Sequence, residues 1–225
     1  MKKISWSWWC DRAWIKFGCL ITVCMMALML WNWNSWGNDL KVICAISALI
    51  PMHVVEEWIF PGGFHYQYNV GLFHSEQPNC YPMCRLSDMY TNLIATFLYM
   101  ALTFISMFNG NHVYSGMLLG TIAFSALELF MHTLMGIKMY LKFKRNGKTT
   151  IYGPGSFTAY FGFVILGIIA FFCLDGVAIT TIDWLICIGI LACIGIGCIL
   201  IPESIIKQKN SVYYFESAGY FERFL

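Results

Sequence analysis

Residues Leu40–Phe60 read LKVICAISALIPMHVVEEWIF, an apolar run of helix length that closes on one histidine and two glutamates. The run is long enough to cross a membrane, because about 20 apolar residues span the hydrocarbon core as an α-helix. Its ionisable side chains are His53, Glu56 and Glu57. A charged group near the centre of such a helix costs about 2.5–3.5 kcal/mol on insertion scales. The stretch therefore predicts a transmembrane helix whose ionisable groups face partners or a cavity and serve a function.

The composition of the whole chain is that of a membrane protein. Of its 225 residues, 59% are hydrophobic and 12% are charged, whereas soluble domains carry about 25% charged residues. The formal net charge of +2 is too small to indicate a nucleic-acid partner. No repeat or polar linker divides the chain, so we predict a single integral-membrane domain over residues 1–225. We expect an all-α, polytopic transmembrane helical bundle with membrane lipids as its partners.

Apolar runs of helix length predict about six transmembrane spans. The runs are Ala13–Trp31, Leu40–Phe60, Tyr90–Phe108, Val113–Ile137, Phe157–Ile179 and Thr181–Ile201. A very short turn around Asp183 is expected between the last two. An even number of spans places both termini on the same side of the membrane.

The basic residues predict which side that is, since Lys and Arg accumulate in cytoplasmic segments. With the N-terminus in the cytosol, Lys41 is the only one of the 14 Lys and Arg residues in an outside segment. The inside segments hold Lys2, Lys3, Arg12, Lys16, Arg85, Lys138, Lys142, Lys144, Arg145, Lys148, Lys207, Lys209 and Arg223. We therefore predict a protein of the cell membrane with both termini in the cytosol.

The fourth run contributes a second ionisable pair. Glu128 and His132 are i,i+4 neighbours, as are His53 and Glu57, so each pair shares one helix face. In the predicted orientation both pairs lie in the cytosolic half of a span that runs inward. Two imidazoles and three carboxylates, Glu56 included, are therefore expected to meet at one depth.

Such a group of side chains predicts a site for a divalent metal, with His53, Glu57, Glu128 and His132 as the ligands. Zinc, iron and manganese all accept nitrogen and oxygen ligands of this kind. The catalytic acids and bases are predicted to be Glu56, Glu57 and Glu128. The same residues can move protons without a metal, and that alternative stays open.

Three further residues are predicted to support the site. Asn92 lies near the inner start of the third span, and a cap of that helix after Asp88 is the alternative interpretation. Tyr152 lies just before the fifth span. His65 follows the glutamates closely enough to act as an auxiliary ligand.

The segment His53–Phe64, HVVEEWIFPGGF, is similar to the signature of the HXXEE-domain family of bacterial multi-span membrane proteins. The resemblance extends to the later Glu/His pair and to Tyr152–Ala159, YGPGSFTA, and covers roughly residues 45–165. It implies a bacterial membrane protein with enzymatic activity. The shorter segment His53–Phe60 also resembles sterol-isomerase (EXPERA) proteins, which transfer protons with intramembrane His and Glu and without a metal.

Three functions are therefore considered. The leading hypothesis is an intramembrane enzyme that acts on a lipid or another hydrophobic small molecule from the cytosolic leaflet, assisted by a metal. A metal-free acid–base isomerase is its close alternative. A proton-coupled transporter would also use intramembrane carboxylates and histidines. However, the chain has no inverted repeat and its polar groups share one depth. A membrane interaction protein with a structural polar core is the third hypothesis.

Overall fold

A computed structural model describes residues 8–225, and this part of the chain is helical and contains no strand. Six of its helices are long and apolar enough to cross a membrane, which confirms the predicted all-α architecture. In chain order the helices are α1 (Trp9–Trp31), α2 (Asn38–Trp58), α3 (Phe64–Gly71), α4 (Arg85–Phe108), α5 (Ser115–Asn146), α6 (Ser156–Cys173) and α7 (Thr181–Ile206). All except the short helix α3 are candidate spans.

Two helix boundaries differ clearly from the apolar runs. Helix α5 continues to Asn146 instead of ending near Ile137, because the Lys-rich segment that follows the apolar run consists of good helix formers. Helix α6 ends at Cys173, so residues 174–180 form the last connection and Asp183 lies inside the first turn of α7. There Asp183 and Thr180 form a reciprocal N-terminal cap, in which Asp183 Oδ2 accepts from Thr180 N at 2.9 Å.

Helix α2 is the centre of the bundle. Buried residues make up 61% of an 18-residue apolar stretch of α2, against 22–39% of the corresponding stretches in the other five spans. It packs against α1, α4, α5 and α6, and Gly18 of α1 leaves room for Pro51. A polar side chain on the second half of α2 is therefore surrounded by protein and not by lipid.

The C-terminal segment covers the end of the bundle where α2 stops. Helix α2 ends at Trp58, three residues before Pro61-Gly62-Gly63. Residues 207–225 return across this end, where Arg85 N donates to Tyr213 O at 2.9 Å and Tyr220 N to Gly62 O at 3.0 Å. These bonds tie the loop after α2 to the start of α4.

The direction in which the bundle crosses the membrane stays a prediction of the charge distribution. Two of the basic residues behind that prediction, Lys2 and Lys3, lie outside the described residues. The single-domain organisation likewise remains an expectation from the sequence.

Candidate metal centre

Helices α2 and α5 bring both predicted ionisable pairs into contact. The Nε2 atom of His53 lies 3.2 Å from Glu57 Oε1 and 3.5 Å from Glu128 Oε2. The Nε2 atom of His132 lies 3.6 Å from Glu57 Oε1 and 3.5 Å from Glu128 Oε2. Each of the two nitrogens therefore contacts both carboxylates, and we call these four residues the His/Glu cluster.

The spacing within the His/Glu cluster fits a metal ion. Bonds of about 2.0–2.1 Å to a tetrahedral metal place neighbouring ligand atoms about 3.3 Å apart, and the contacts of Glu57 Oε1 with the two histidine Nε2 atoms, 3.2 and 3.6 Å, are close to that value. Ligand atoms of His53, Glu57 and His132 all lie within 4.8 Å of one another, and these three residues are buried. The side chain of Glu128 is 20% exposed and is the most accessible member. The arrangement is thus three buried ligands beside a more open fourth position.

Thr158 of α6 sets the orientation of the His53 ring. Its Oγ1 lies 2.6 Å from Glu56 Oε2 and 2.6 Å from His53 Nδ1. The single hydroxyl proton goes to the carboxylate, because a charged acceptor at this distance is stronger than the Gly155 carbonyl at 3.2 Å. The hydroxyl oxygen then accepts from His53 Nδ1–H, and in the neutral ring the lone pair of Nε2 is directed at the cluster. This is the tautomer that a metal ligand requires.

Glu56 is held at the N-terminus of α6 and does not reach the cluster atoms. Its carboxylate accepts from Phe157 N at 2.9 Å and from Thr158 N at 2.8 Å. The partial positive charge of a helix N-terminus favours an anion at this position. The Tyr152 hydroxyl donates to Glu56 Oε1 at 3.2 Å, and burial together with the Glu56 charge raises the pKa of Tyr152. Glu56, which the sequence predicts as a catalytic acid or base, is thus bound to the start of α6 beside Tyr152.

The ring of His132 is positioned by packing against Gly155 and not by a hydrogen bond at Nδ1. Gly155 precedes α6 with φ +86°, and a Cβ at this position would overlap the ring of His132. The Nδ1 atom of His132 has no hydrogen-bond partner among residues 8–225. His53 is thus fixed by a polar chain and His132 by packing.

The His/Glu cluster lies in the wall of a largely apolar cavity of about 130 Å³. This is close to the size of an internal cavity that accommodates benzene. The apolar part of the wall is formed by Phe64, Phe124, Met131, Met135, Phe163 and Ile194. We call this space the main cavity.

Helix α7 packs against different helices along its length, and its second half lines the main cavity. Its first half, Thr181–Ala192, packs along α5, whereas its second half packs against α4. Thr91 of α4 holds this second half by donating to Cys198 O at 2.7 Å. As α7 diverges from α5, Leu127 and Glu128 line the main cavity from one side of the gap and Ile199 from the other.

A third carboxyl lies in the same cavity, on α4. Asp88 is buried, accepts from Trp58 Nε1 at 2.6 Å and accepts from Asn92 Nδ2 at 3.0 Å. Asn92 lines the main cavity as well, and its side chain contacts Asp88 and not the His/Glu cluster.

The structure does not bring His65 to the cluster. Its imidazole is buried, stacks on Phe215 with ring centroids 3.7 Å apart, and lines a separate cavity. Burial lowers the pKa of His65 to about 3, so the ring is neutral at neutral pH.

Sequence reasoning assigned no role to Thr158 or Asp88. A hydroxyl in the first turn of a helix usually interacts with its own backbone, and a carboxylate near the start of a helix, such as Asp88, is favoured by the helix dipole without any further role. Their contacts to α2 arise from the packing of helices distant in sequence, which no local pattern reports.

Comparisons with protein-family models, with curated proteins and with solved structures return no match to this chain. What the chain does is therefore argued from its own residues.

Proposed function

We propose that this integral membrane protein is an enzyme that acts on a lipid or another hydrophobic molecule with the assistance of a divalent metal. The observation that carries the proposal is the contact of two imidazole nitrogens with two carboxylate oxygens at 3.2–3.6 Å beside an apolar cavity. Ionisable side chains are costly to bury inside a membrane, and they are retained there when they pair with one another or serve a function.

Three residues are proposed as the permanent ligands: His53, His132 and Glu57. They are the buried members of the His/Glu cluster, and catalytic zinc sites commonly combine three protein ligands with one open position. A metal bound here would polarise a carbonyl or phosphoryl oxygen or lower the pKa of a bound water. Zinc, iron and manganese remain the candidates.

Glu128 is proposed as the general acid–base. It faces the main cavity and contacts both histidines, so it can take or return a proton beside a bound substrate. Glu56 holds Thr158, and Thr158 holds His53, so Glu56 positions a ligand and does not act on the substrate.

The form of the main cavity supports a hydrophobic substrate. Its wall is mostly apolar, and between α5 and the second half of α7 it is lined by the partly exposed Glu128. A molecule dissolved in the bilayer would enter there without crossing water. A short alkyl or acyl segment matches the space, with its reactive group at Glu128.

An acid–base isomerase without a metal is the second candidate. The same distances permit hydrogen-bonded His–Glu pairs, and Asp88 adds a further carboxyl to the wall of the main cavity. This candidate predicts no bound metal but an equal dependence on Glu128.

The resemblance of His53–Phe64 to the HXXEE signature leads us to propose membership of that family and a place in a bacterial cell membrane. The absence of any family match leaves this assignment to rest on the quoted motif alone.

The first experiment is elemental analysis of protein purified in detergent and reconstituted separately with zinc, iron and manganese. We expect about one metal per chain in the wild type, and its loss in His53→Ala and Glu57→Gln. His112→Ala is the matched control, because His112 lies in an exposed turn away from the cluster. Retention of metal by both cluster variants would refute the assignment of ligands, and a metal-free wild type would favour the isomerase.

The second experiment asks whether chemistry occurs. Wild-type protein and Glu128→Gln are incubated in nanodiscs with a total lipid extract, and lipid masses and double-bond positions are compared over time. We expect a lipid species to be converted by the wild type only. Identical lipid profiles, with metal bound in both proteins, would count against an enzyme that acts on membrane lipids.

A further inference from the structure

A second cavity, of about 370 Å³, lies at the end of the bundle where α1 begins and α2 ends. Trp58 separates it from the main cavity, since its ring lines the second cavity while its indole N–H donates to Asp88. The polar residues of its wall are Asp11, Arg12, His65, Arg85, Glu216 and Ser217. None of them belongs to the His/Glu cluster, so this polar cavity requires its own explanation.

Arg85 is the buried cation of the polar cavity. It is 9% exposed, and its Nη1 donates to Asp11 Oδ1 at 3.0 Å. The side chain of Asp11 is itself 57% exposed, so this partner neutralises the guanidinium only in part. A buried guanidinium therefore faces the cavity with one half-solvated counter-ion.

One edge of the Arg85 guanidinium has no hydrogen-bond partner among residues 8–225. The Nε atom is buried and unpaired among the described residues, and the hydrogen bonds of that part of the chain do not include Nη2. These two N–H groups point in parallel and form the fork that grips two oxygens of a phosphate or carboxylate. Leaving a buried donor unpaired costs about 1–3 kcal/mol, and native interiors seldom do so. The free edge thus points to a polar ligand with two adjacent acceptors.

The surroundings restrict the charge of that ligand. Arg12 adds a second cation at the exposed rim, and His65 stays neutral at physiological pH because burial lowers its pKa to about 3. Asp11 and Glu216 oppose an anion, but both are exposed and their charge is screened by water and salt. The floor of the cavity, where Arg85 lies, is therefore the position where an anion is favoured.

We propose that the polar cavity binds the phosphate group of a ligand, with Arg85 Nε–H and Nη2–H donating to two of its oxygens. The cavity lies where transmembrane helices begin and end, which is the depth of lipid headgroups. The phosphate is carried either by a phospholipid or by a soluble phosphate ester, and the recognising chemistry is the same. This inference is independent of the proposed metal and of the proposed reaction.

The test uses the full chain, delipidated in a non-ionic detergent. Glycerol 3-phosphate is the soluble probe, with chloride at equal ionic strength as its control, and thermal unfolding is the measurement. Phosphatidylglycerol is the lipid probe, and native mass spectrometry counts the molecules retained per chain. Saturable stabilisation by glycerol 3-phosphate indicates a soluble ligand. Retention of one phosphatidylglycerol per chain, with no stabilisation by glycerol 3-phosphate, indicates a lipid. Neither effect in the wild type would overturn the proposal.

Two variants with opposite expected effects separate binding from a structural role. Arg85→Lys keeps the charge but loses the fork, so we expect at least tenfold weaker binding. Asp11→Asn removes the competing carboxylate, so we expect binding to become several-fold tighter. Arg145→Gln, an exposed site outside the cavity, is the control. If both variants lose stability but bind the probes as the wild type does, Arg85 serves only the fold and the proposal is wrong.

Discussion

Replacing Thr158 by valine tests whether the hydroxyl between Glu56 and His53 selects the metal-binding tautomer. The change preserves shape and removes two contacts of 2.6 Å, one to Glu56 and one to His53. Glu56 keeps the two backbone N–H groups of α6 and the Tyr152 hydroxyl, so the helix contact survives. The loss is therefore concentrated on His53, whose Nδ1–H has no other acceptor.

The expected magnitude follows from that lost acceptor. A buried donor without a partner costs about 1–3 kcal/mol, and the ring can escape by placing its proton on Nε2, the atom that should bind the metal. Loss of such outer contacts typically weakens metal affinity by about 10–100-fold, which corresponds to about 1.4–2.7 kcal/mol. We expect Thr158→Val to fall in this range.

The assay is competition for zinc between the detergent-purified protein and a fluorescent chelator at pH 7. The matched control is Thr121→Val, which removes a fully buried hydroxyl on α5 that donates only to Met117 O of its own helix. The control should bind zinc as the wild type does. A zinc affinity of Thr158→Val within twofold of the wild type, or an equal loss of affinity in the control, would refute the role of the Thr158 hydroxyl in orienting His53.

Three more predictions concern single positions around the site. Gly155→Ala should lower both metal affinity and thermal stability, because its Cβ would overlap the ring of His132. Gly147→Ala is the control, since Gly147 has a similar positive φ but no atom within 4 Å of an added Cβ, and it should cause only the backbone penalty of about 1–3 kcal/mol. The pKa of His65 in the folded protein, about 3, lies below the ordinary value near 6.5, so the free energy of unfolding falls by about 1.4 kcal/mol per pH unit as the pH drops through that interval. The melting temperature of His65→Gln should therefore depend less on pH than that of the wild type. An unchanged pH dependence would contradict the buried neutral ring. Lys148→Met should lower the melting temperature, since the buried ammonium donates to the backbone of residue 152 from within a ring of aromatic side chains, while the exposed Lys144→Met should not.

The spacing of the motif HVVEE directs its two glutamates to two different neighbouring helices. Glu57 is four residues from His53 and lies on the same face, towards α5. Glu56 is rotated about 100° from Glu57 around the helix axis, and this turn directs it to the N-terminus of α6. Two adjacent glutamates thus take different roles, one as a ligand candidate and one as an anchor.

The amino-acid sequence alone determined the membrane class, and it predicted the four residues of the His/Glu cluster together with Glu56, which the structure places against the start of α6. Six apolar runs need no tertiary information, because the hydrocarbon thickness sets their length. The i,i+4 spacing of Glu128 and His132 reveals a shared face in the same way. The cost of burying such groups made their mutual contact predictable before any packing was known.

Only the tertiary structure decided which residues support the cluster and which stay apart from it. Thr158, Asp88 and Arg85 acquire their partners from helices distant in sequence, and His65 turns away into a different cavity. The direction of a short helix such as α3 and the divergence of α7 from α5 depend on how whole surfaces pack. Periodicity along the chain records which face of a helix is buried, but not which neighbour buries it.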